Sequence, residues 1–341
     1  MIRPARLTDR QALSELSERV HASEDAHRRS LGVPAPVAGQ GHVSLTTLIP
    51  SWMPLRAPSL HLVYEEDGEI TGSCRALEEP GREDWVITEL DAADGPMAAE
   101  IRYDLLSAAC EEGIRRGVAR YHAACADVRE NLELFRQLSF MAYAQETIFY
   151  REPVEERARG GLRRRFRRAG AKATMPELDL RPAGAPDAWH VFDLWTHATP
   201  PAIARVEGYG AEDWESVGHE AVVPRSSLAP LLHFGDVNAW LLEQDGRAAM
   251  FVQHAECKEG PHYVRFLLRD GTDAVQRLPA ALERLGSGAA SAGMLAPVRT
   301  YEAMGSHAAR DAGFEPIGRV TLLVREVRAA IRQPAMVPAI D

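Results

Sequence analysis

Residues 131–151 read NLELFRQLSFMAYAQETIFYR, and residues 305–325 read GSHAARDAGFEPIGRVTLLVR. The two stretches follow one plan. A short helix-like run stops at a small residue followed by Phe, at Ser139-Phe140 and again at Gly313-Phe314. An alternating apolar strand follows and closes on Arg-Glu, with Arg151 and Arg325 each 11 residues beyond the Phe. A small residue before an aromatic, between helix and strand, is what a tight helix C-terminus packing onto a sheet requires. Two occurrences in the same register point to an internal repeat.

Outward from these stretches the correspondence holds at a fixed offset. Ile2-Arg3-Pro4-Ala5 ahead of the amphipathic run Asp9–Val20 matches Leu180-Arg181-Pro182-Ala183 ahead of Asp187–Trp195, 178 residues later (181 − 3). Leu62–Gly68, LVYEEDG, predicts a strand entering an Asp-Gly hairpin turn, and Trp240–Gly246, WLLEQDG, repeats it at the same offset. Trp85–Leu90 and Tyr263–Leu268 form a third pair of predicted strands. Long helical patterns follow at Ala98–Arg116 and Ala274–Ala292, each ending near a glycine and leading to strands at Arg120–Ala124 and Pro297–Tyr301. The closing motif returns at an offset of 174 (314 − 140), so the second copy is about four residues shorter.

A chain of 341 residues accommodates two domains, and 45% apolar with 26% charged residues is an ordinary soluble composition. No apolar run reaches the ~18 residues that a membrane-crossing helix needs, and the N-terminus MIRPARLTDRQ has no leader-like apolar region. Cys74, Cys110, Cys125 and Cys257 lack C-x-x-C spacing, which points to buried thiols in a reducing cytoplasmic setting and to no zinc site. The net charge of −10 disfavours a general nucleic-acid binder. Between the copies, Arg157–Lys172 carries seven Arg and one Lys without an acid. That run reads either as a connector lying on acidic domains or as an arm for nucleic-acid phosphates.

Each copy thus reads strand, helix or two, hairpin, strand, long helix, strand, short helix, strand. This order, with its paired helix-then-aromatic endings, resembles the GNAT superfamily of acyltransferases in a tandem form, over nearly the whole chain outside the linker. The resemblance implies an α/β (mixed α+β) fold of two tandem domains, each a twisted mixed sheet flanked by helices, at 1–152 and 178–328. A linker at 153–177 and a tail at 329–341 complete the chain. It also implies acetyl-CoA or another acyl-CoA as co-substrate, held between two splayed strands, and a small-molecule amine or peptide as acceptor.

Acyl transfer from a thioester to an amine needs a base, an oxyanion donor, a pyrophosphate cradle and a proton for the departing thiolate. The family's cradle pattern, Q/R-x-x-G-x-G/A, falls on Met97–Arg102 in the first copy, so the resemblance places cofactor contacts at Ala98, Ala99, Ile101 and Arg102, with the fourth-strand backbone donor at Leu90. Glycines are missing there, Glu100 puts a carboxylate in the cradle, and Asp273–Leu278 in the second copy lacks glycine as well. The tyrosine that the family uses as acid falls on Phe135 and Ala309, neither of which donates a proton.

Strict alternation places Trp85, Ile87, Glu89 and Asp91 on one strand face, making Glu89 the candidate base, or else a solvated strand-end carboxylate, with His122 as candidate assistant or a packed strand residue. Leu267 takes the place of Glu89 in the second copy. His190, Asp193 and His197 share one helical face without a fourth ligand, so a polar face rather than a metal site is expected. His197, Glu207, Tyr209 and Trp214 mark a candidate substrate pocket, the aromatics reading equally as core. Besides the acyltransferase, two other readings fit: a GNAT-fold pair kept for binding a ligand or partner, and an aminoacyl-tRNA-dependent transferase meeting RNA through Arg157–Lys172.

Overall fold

The computed structural model describes residues 1–22, 28, 31, 59–79, 81–153, 178–217, 223, 227–228, 232, 234–257, 260–286 and 292–327; the basic run Arg157–Lys172 and the tail 329–341 lie outside them. The first copy runs β1 (Ile2–Pro4), α1 (Arg10–Val20), β2 (Ser59–Glu66), β3 (Glu69–Glu78), β4 (Asp84–Ala92), α2 (Ala98–Arg115), β5 (Arg120–Ala126), α3 (Arg129–Gln137) and β6 (Met141–Arg151). The second runs β7 (Leu180–Pro182), α4 (Ala188–Ala198), α5 (Pro201–Glu207), β8 (Phe234–Gln244), β9 (Arg247–Cys257), β10 (His262–Leu268), α6 (Ala274–Gly286), β11 (Met294–Arg299), α7 (Ala303–Asp311) and β12 (Glu315–Glu326). This is the element order expected from the repeat.

The duplication extends to side chains. Arg3 pairs with Asp9 at 2.6 Å and with Glu65, while Arg181 pairs with Asp187 at 2.6 Å and with Glu243, every partner displaced by 178 residues (187 − 9, 243 − 65). Asp9 also accepts the N–H of Arg6, and Asp187 that of Gly184. Both hairpins turn on Asp-Gly with positive φ at each residue, 50° and 84° in one and 52° and 73° in the other, as a type I′ turn demands. Each hairpin then carries a β-bulge at the same place, between Tyr64 and Glu65 and between Leu242 and Glu243. Ser139 (φ 64°) and Gly313 (φ 81°) adopt the left-handed conformation that ends α3 and α7. Phe140 N–H reaches back to Phe135 O and Phe314 N–H to Ala309 O, both at 3.0 Å, closing the helix ends and burying each Phe.

All twelve strands found among the described residues form one sheet, in the order β1-β2-β3-β4-β5-β12-β6-β11-β10-β9-β8-β7. The final strands are exchanged: β12 lies beside β5, and β6 beside β11. The copies therefore meet along the antiparallel β6–β12 pair, from Glu315↔Tyr150 to Val324↔Met141. Exchange places the closing strand of each copy in the other's sheet and makes the junction a continuous hydrogen-bonded ladder. On one face, α2 and α3 cover Leu62, Cys74, Ile87 and Leu90. On the other, α1 covers Val63 and Ile70 through Leu13, Leu16 and Val20.

Candidate active site

The parallel pairing of β4 with β5 runs only from Asp84↔Arg120 to Ile87↔Ala123, although both strands continue. Where that pairing stops, β4 carries a bulge: Arg75 of β3 pairs with Glu89 and Ala76 with Ile87, leaving Thr88 as the extra residue. A bulge puts two residues opposite one and breaks the two-residue period. The expected single face of Trp85, Ile87, Glu89 and Asp91 is thereby corrected. Trp85 and Ile87 join the core under α2, whereas Glu89 and Asp91 turn to the α1 side, and Leu90 takes the core position.

Glu89 arrives in a polar cluster built by three neighbouring strands. His61, Arg75 and Glu89 are successive cross-strand partners on β2, β3 and β4. Ser73 Oγ donates to Glu89 Oε1 at 2.5 Å, His61 Nε2 lies 3.7 Å from the same oxygen, and Arg75 Nε lies 3.7 Å from Oε2. Burial by itself raises the affinity of the Glu89 carboxyl for a proton. The neighbouring His61 and Arg75 and the Ser73 hydroxyl outweigh it and hold the group well below the usual carboxylate range. Asp91 lies two residues along, with His21 Nε2 at 3.8 Å from its carboxylate. His122 is buried on β5 opposite Val86, on the same side of the sheet, with its ring edge-to-face against Tyr143 at 6.2 Å.

The remaining positions named from the sequence separate into different surroundings. Ala98 is half-buried and Ala99 exposed at the start of α2, a helix whose N-terminal residue Met97 makes no side-chain capping bond. Ile101 packs onto the sheet, so close to Gly72 that a Cβ there would sit 2.5 Å from its Cγ2. Arg102 is buried and donates to Asn131 Oδ1 of α3 at 3.3 Å. His197 is exposed on α4. Trp214 is buried against Trp195, Val217 and Phe251, with Tyr209 edge-on to both tryptophans. Arg82 sits over the Tyr209 ring at 5.0 Å.

Glu207 is buried at the end of α5, 3.1 Å from Arg299 Nη2, and Arg299 Nε lies 3.0 Å from Glu146 of β6. The carbonyls that end α5 are met by arginines of the first copy: Arg120 donates to Val206 O, and Arg82 to Glu207 O and Gly208 O. Cations at a helix C-terminus complement its dipole. Here they tie α5 to the β4–β5 edge, and Asp84 anchors both guanidiniums.

The corresponding opening in the second copy is stitched shut. β10 and β11 pair only at His262↔Met294 and Tyr263↔Leu295. Past that point Arg265 of β10 holds Glu302 through two bonds of 2.5 and 2.9 Å, and Glu302 also accepts the N–H of Arg299 at 3.0 Å. No bulge interrupts β9–β10, whose pairing is continuous from Tyr263↔Ala255 to Leu268↔Met250. The N-terminus of α6 is closed by its own chain, the Thr272 hydroxyl accepting Ala274 N–H at 3.3 Å and Asp273 pairing with Arg277.

Among solved structures, a tandem GNAT protein from the clavulanic acid biosynthesis pathway, determined without AcCoA, superposes with a TM-score of 0.56 and 13% identity over 96% of this chain and 98% of that one. The GCN5-related N-acetyltransferase from Sphaerobacter thermophilus gives 0.56 and 15% identity over 96% and 95%. No protein-family model and no curated protein sequence matched. Identities this low speak to fold alone, but the likeness spans both copies and at least 95% of each solved chain: the chain has the tandem GNAT fold.

Proposed function

We propose that the protein is an acyltransferase that moves an acetyl or other acyl group from CoA to an amine, and that the first copy alone carries the reaction. The observation that supports this reading is what the duplication does not repeat. Turns, helix ends, hairpin bulges and the Arg–Asp–Glu clusters recur in both copies, as expected of features that serve folding. The Thr88 bulge, where the β4–β5 pairing ends beside Glu89, belongs to the first copy, whereas in the second copy β9–β10 is regular and Arg265 holds Glu302 past the end of the β10–β11 pairing. An acyl-CoA bound in the gap supplies an activated thioester. The chain's own contributions would be the β4 backbone near Leu90 as donor to the developing oxyanion, the start of α2 at Ala98–Ala99, whose cap Met97 makes no side-chain bond, facing phosphate, and the Glu89 cluster on the acceptor side.

Glu100 in the first turn of α2 weakens the anion site, so a loose grip on the pyrophosphate is expected. The alternative, a GNAT-fold pair kept for binding, draws on the same missing glycines and on Phe135 and Ala309, both buried where the family's proton donor would stand. Calorimetry and thermal shift with CoA and acetyl-CoA separate the two. The acyltransferase reading expects a raised Tm and one bound molecule per chain, since a ligand selective for the folded state stabilises it. An unchanged Tm at saturating millimolar CoA and acetyl-CoA removes that reading. Salt-sensitive tRNA binding lost on Arg163→Ala, Arg164→Ala and Arg165→Ala would instead support the aminoacyl-tRNA-dependent reading.

A further inference from the structure

His61 is buried on the α1 side of β2, and neither ring nitrogen has a hydrogen-bond partner. A buried imidazole without one forgoes the hydrogen bonding that water would give it. That is a cost a purely packed residue would shed by becoming apolar. Its Nε2 approaches Glu89 Oε1 at 3.7 Å, close enough for attraction and too long for a formed hydrogen bond. Glu89 in turn is held by the Ser73 hydroxyl and faces Arg75.

We propose that His61 is the base that takes the proton from the acceptor amine, and that Glu89 is a positioning residue which orients the ring and stabilises its charged form. This rests on the acyltransferase reading above and replaces its most direct version, in which the carboxylate itself is the base. A carboxylate pinned by the Ser73 hydroxyl beside the Arg75 cation is a weak proton acceptor. An imidazole with one nitrogen turned to that carboxylate keeps the lone pair of the other for a substrate. Glu89 keeps about a fifth of its side-chain surface exposed and His61 2%, so the pair opens to solvent on the Glu89 side and an amine reaches the ring only past that carboxylate. The charged and titratable groups facing the pair are Arg75 from β3, Asp91 from β4 and, from the end of α1, His21 beside Asp91.

The proton balance closes without another reagent. The ammonium gives one proton to His61 Nδ1. The free amine attacks the thioester carbonyl, forming a C–N bond, and the C–S bond breaks as the tetrahedral intermediate collapses. The thiolate takes the second nitrogen proton, and His61 releases the first to solvent.

The test uses the full chain as wild type, His61→Asn, His61→Gln and Glu89→Gln. Acetyl-CoA binding is followed by thermal shift, and CoA thiol release is measured with water as acceptor and with added n-butylamine, spermidine or a lysyl peptide. Expected are an unchanged acetyl-CoA shift in every variant and a 10²–10⁴-fold loss of thiol release in both His61 variants. Glu89→Gln should lose less and move the acid limb of the pH–rate profile to lower pH, because the imidazolium loses its counter-charge. Wild-type rates in His61→Asn or His61→Gln with acetyl-CoA still bound, or no thiol release by a wild type that binds acetyl-CoA, overturn the proposal while leaving the binding site intact. Absence of acetyl-CoA binding by the wild type overturns the underlying reading instead.

Discussion

Replacing Arg299 by Met tests the account of the junction between the copies. Arg299 is 3% exposed and stands between Glu146, fully buried, and Glu207, 1% exposed. Burial by itself disfavours its charge, but the two carboxylates outweigh that and keep it firmly protonated. Methionine fills most of the volume and removes the cation, leaving two desolvated carboxylates facing each other. Breaking a buried pair in this way costs about 3–5 kcal/mol. At roughly 2.1 cal/mol/K of unfolding entropy per residue, 341 residues unfolding together convert that into a fall in Tm of about 4–7 °C. Replacing the whole triad, with Arg299→Met, Glu146→Gln and Glu207→Gln together, should recover most of the loss, because neutral amides no longer need the cation. Ser227 N–H keeps an acceptor, now the amide oxygen in place of Glu146 Oε2. The assay is urea unfolding of the full chain followed by both fluorescence and circular dichroism. A loss below about 1 kcal/mol for the single variant, or a triple variant no better than the single one, refutes the reasoning that these charges hold one another in place. Because Glu146 lies on β6 and Arg299 on β11, the two probes should also report one shared transition.

Other consequences follow from single positions. Ser139→Gly should raise stability by about 0.5–1 kcal/mol and Gly313→Ala lower it by about 1 kcal/mol, since both sites hold positive φ; equal effects of the two in denaturant titrations would contradict the helix-end geometry. His254 lies 2.9 Å from His262, and burial, with the neighbouring His262 charge second, pushes it down to about 4. The unfolded chain binds that proton near pH 6.5 and the folded chain does not, so the stability tied to this site is whole above pH 6.5 and is lost as pH falls towards 4, on the order of 2 kcal/mol after solvent screening. His254→Leu should flatten that part of the stability–pH curve, and a curve unchanged by the substitution would sink the assignment. Finally, on the acyltransferase reading proposed above, Arg265→Ala should not add a CoA site in the second copy, because β9–β10 lacks the bulge; calorimetry giving two equal sites per chain would show that the Arg265–Glu302 contact alone closes the second copy.

Local signals in the chain were enough for the repeat and for most elements, because turns and helix ends are written in neighbouring residues. Asp67-Gly68 and Asp245-Gly246 demanded the same turn, and Ser139 and Gly313 the same helix end. The long helix expected to Ala292 is described to Gly286, residues 287–291 lying outside the described ones, and the strand expected at Pro297–Tyr301 runs Met294–Arg299, because glycines and small residues blur such boundaries. Which edge a strand joins is a different kind of question. β6 and β12 carry the same apolar alternation, and each would pair antiparallel with β5, so nothing local distinguishes exchange from closure within a copy. The same limit hid Glu207, whose partner Arg299 lies 92 residues away (299 − 207).

The candidate site was obscured for a sharper reason. Counting outward from the Asp67-Gly68 turn at constant register sets His61 opposite Cys74, a core residue, and conceals it. The bulge at Tyr64/Glu65 shifts the register by one, sets His61 opposite Arg75, and brings it to the face where the Thr88 bulge delivers Glu89. Two single-residue insertions in adjacent ladders therefore have to coincide for the pair to meet. The first is shared by both copies and the second is not. The copies differ at this face both in the β4 ladder and in its side chains: His61, Ser73, Arg75 and Glu89 stand where the second copy has Ala239, Phe251, Gln253 and Leu267. A deletion of Thr88 that restores regular β3–β4 pairing should leave Glu89 opposite Arg75 on the α1 side and let the β4–β5 ladder run on past Ile87↔Ala123; if acetyl-CoA still raises the Tm of that variant as it does the wild type's, the bulge is not what ends the pairing at the proposed site.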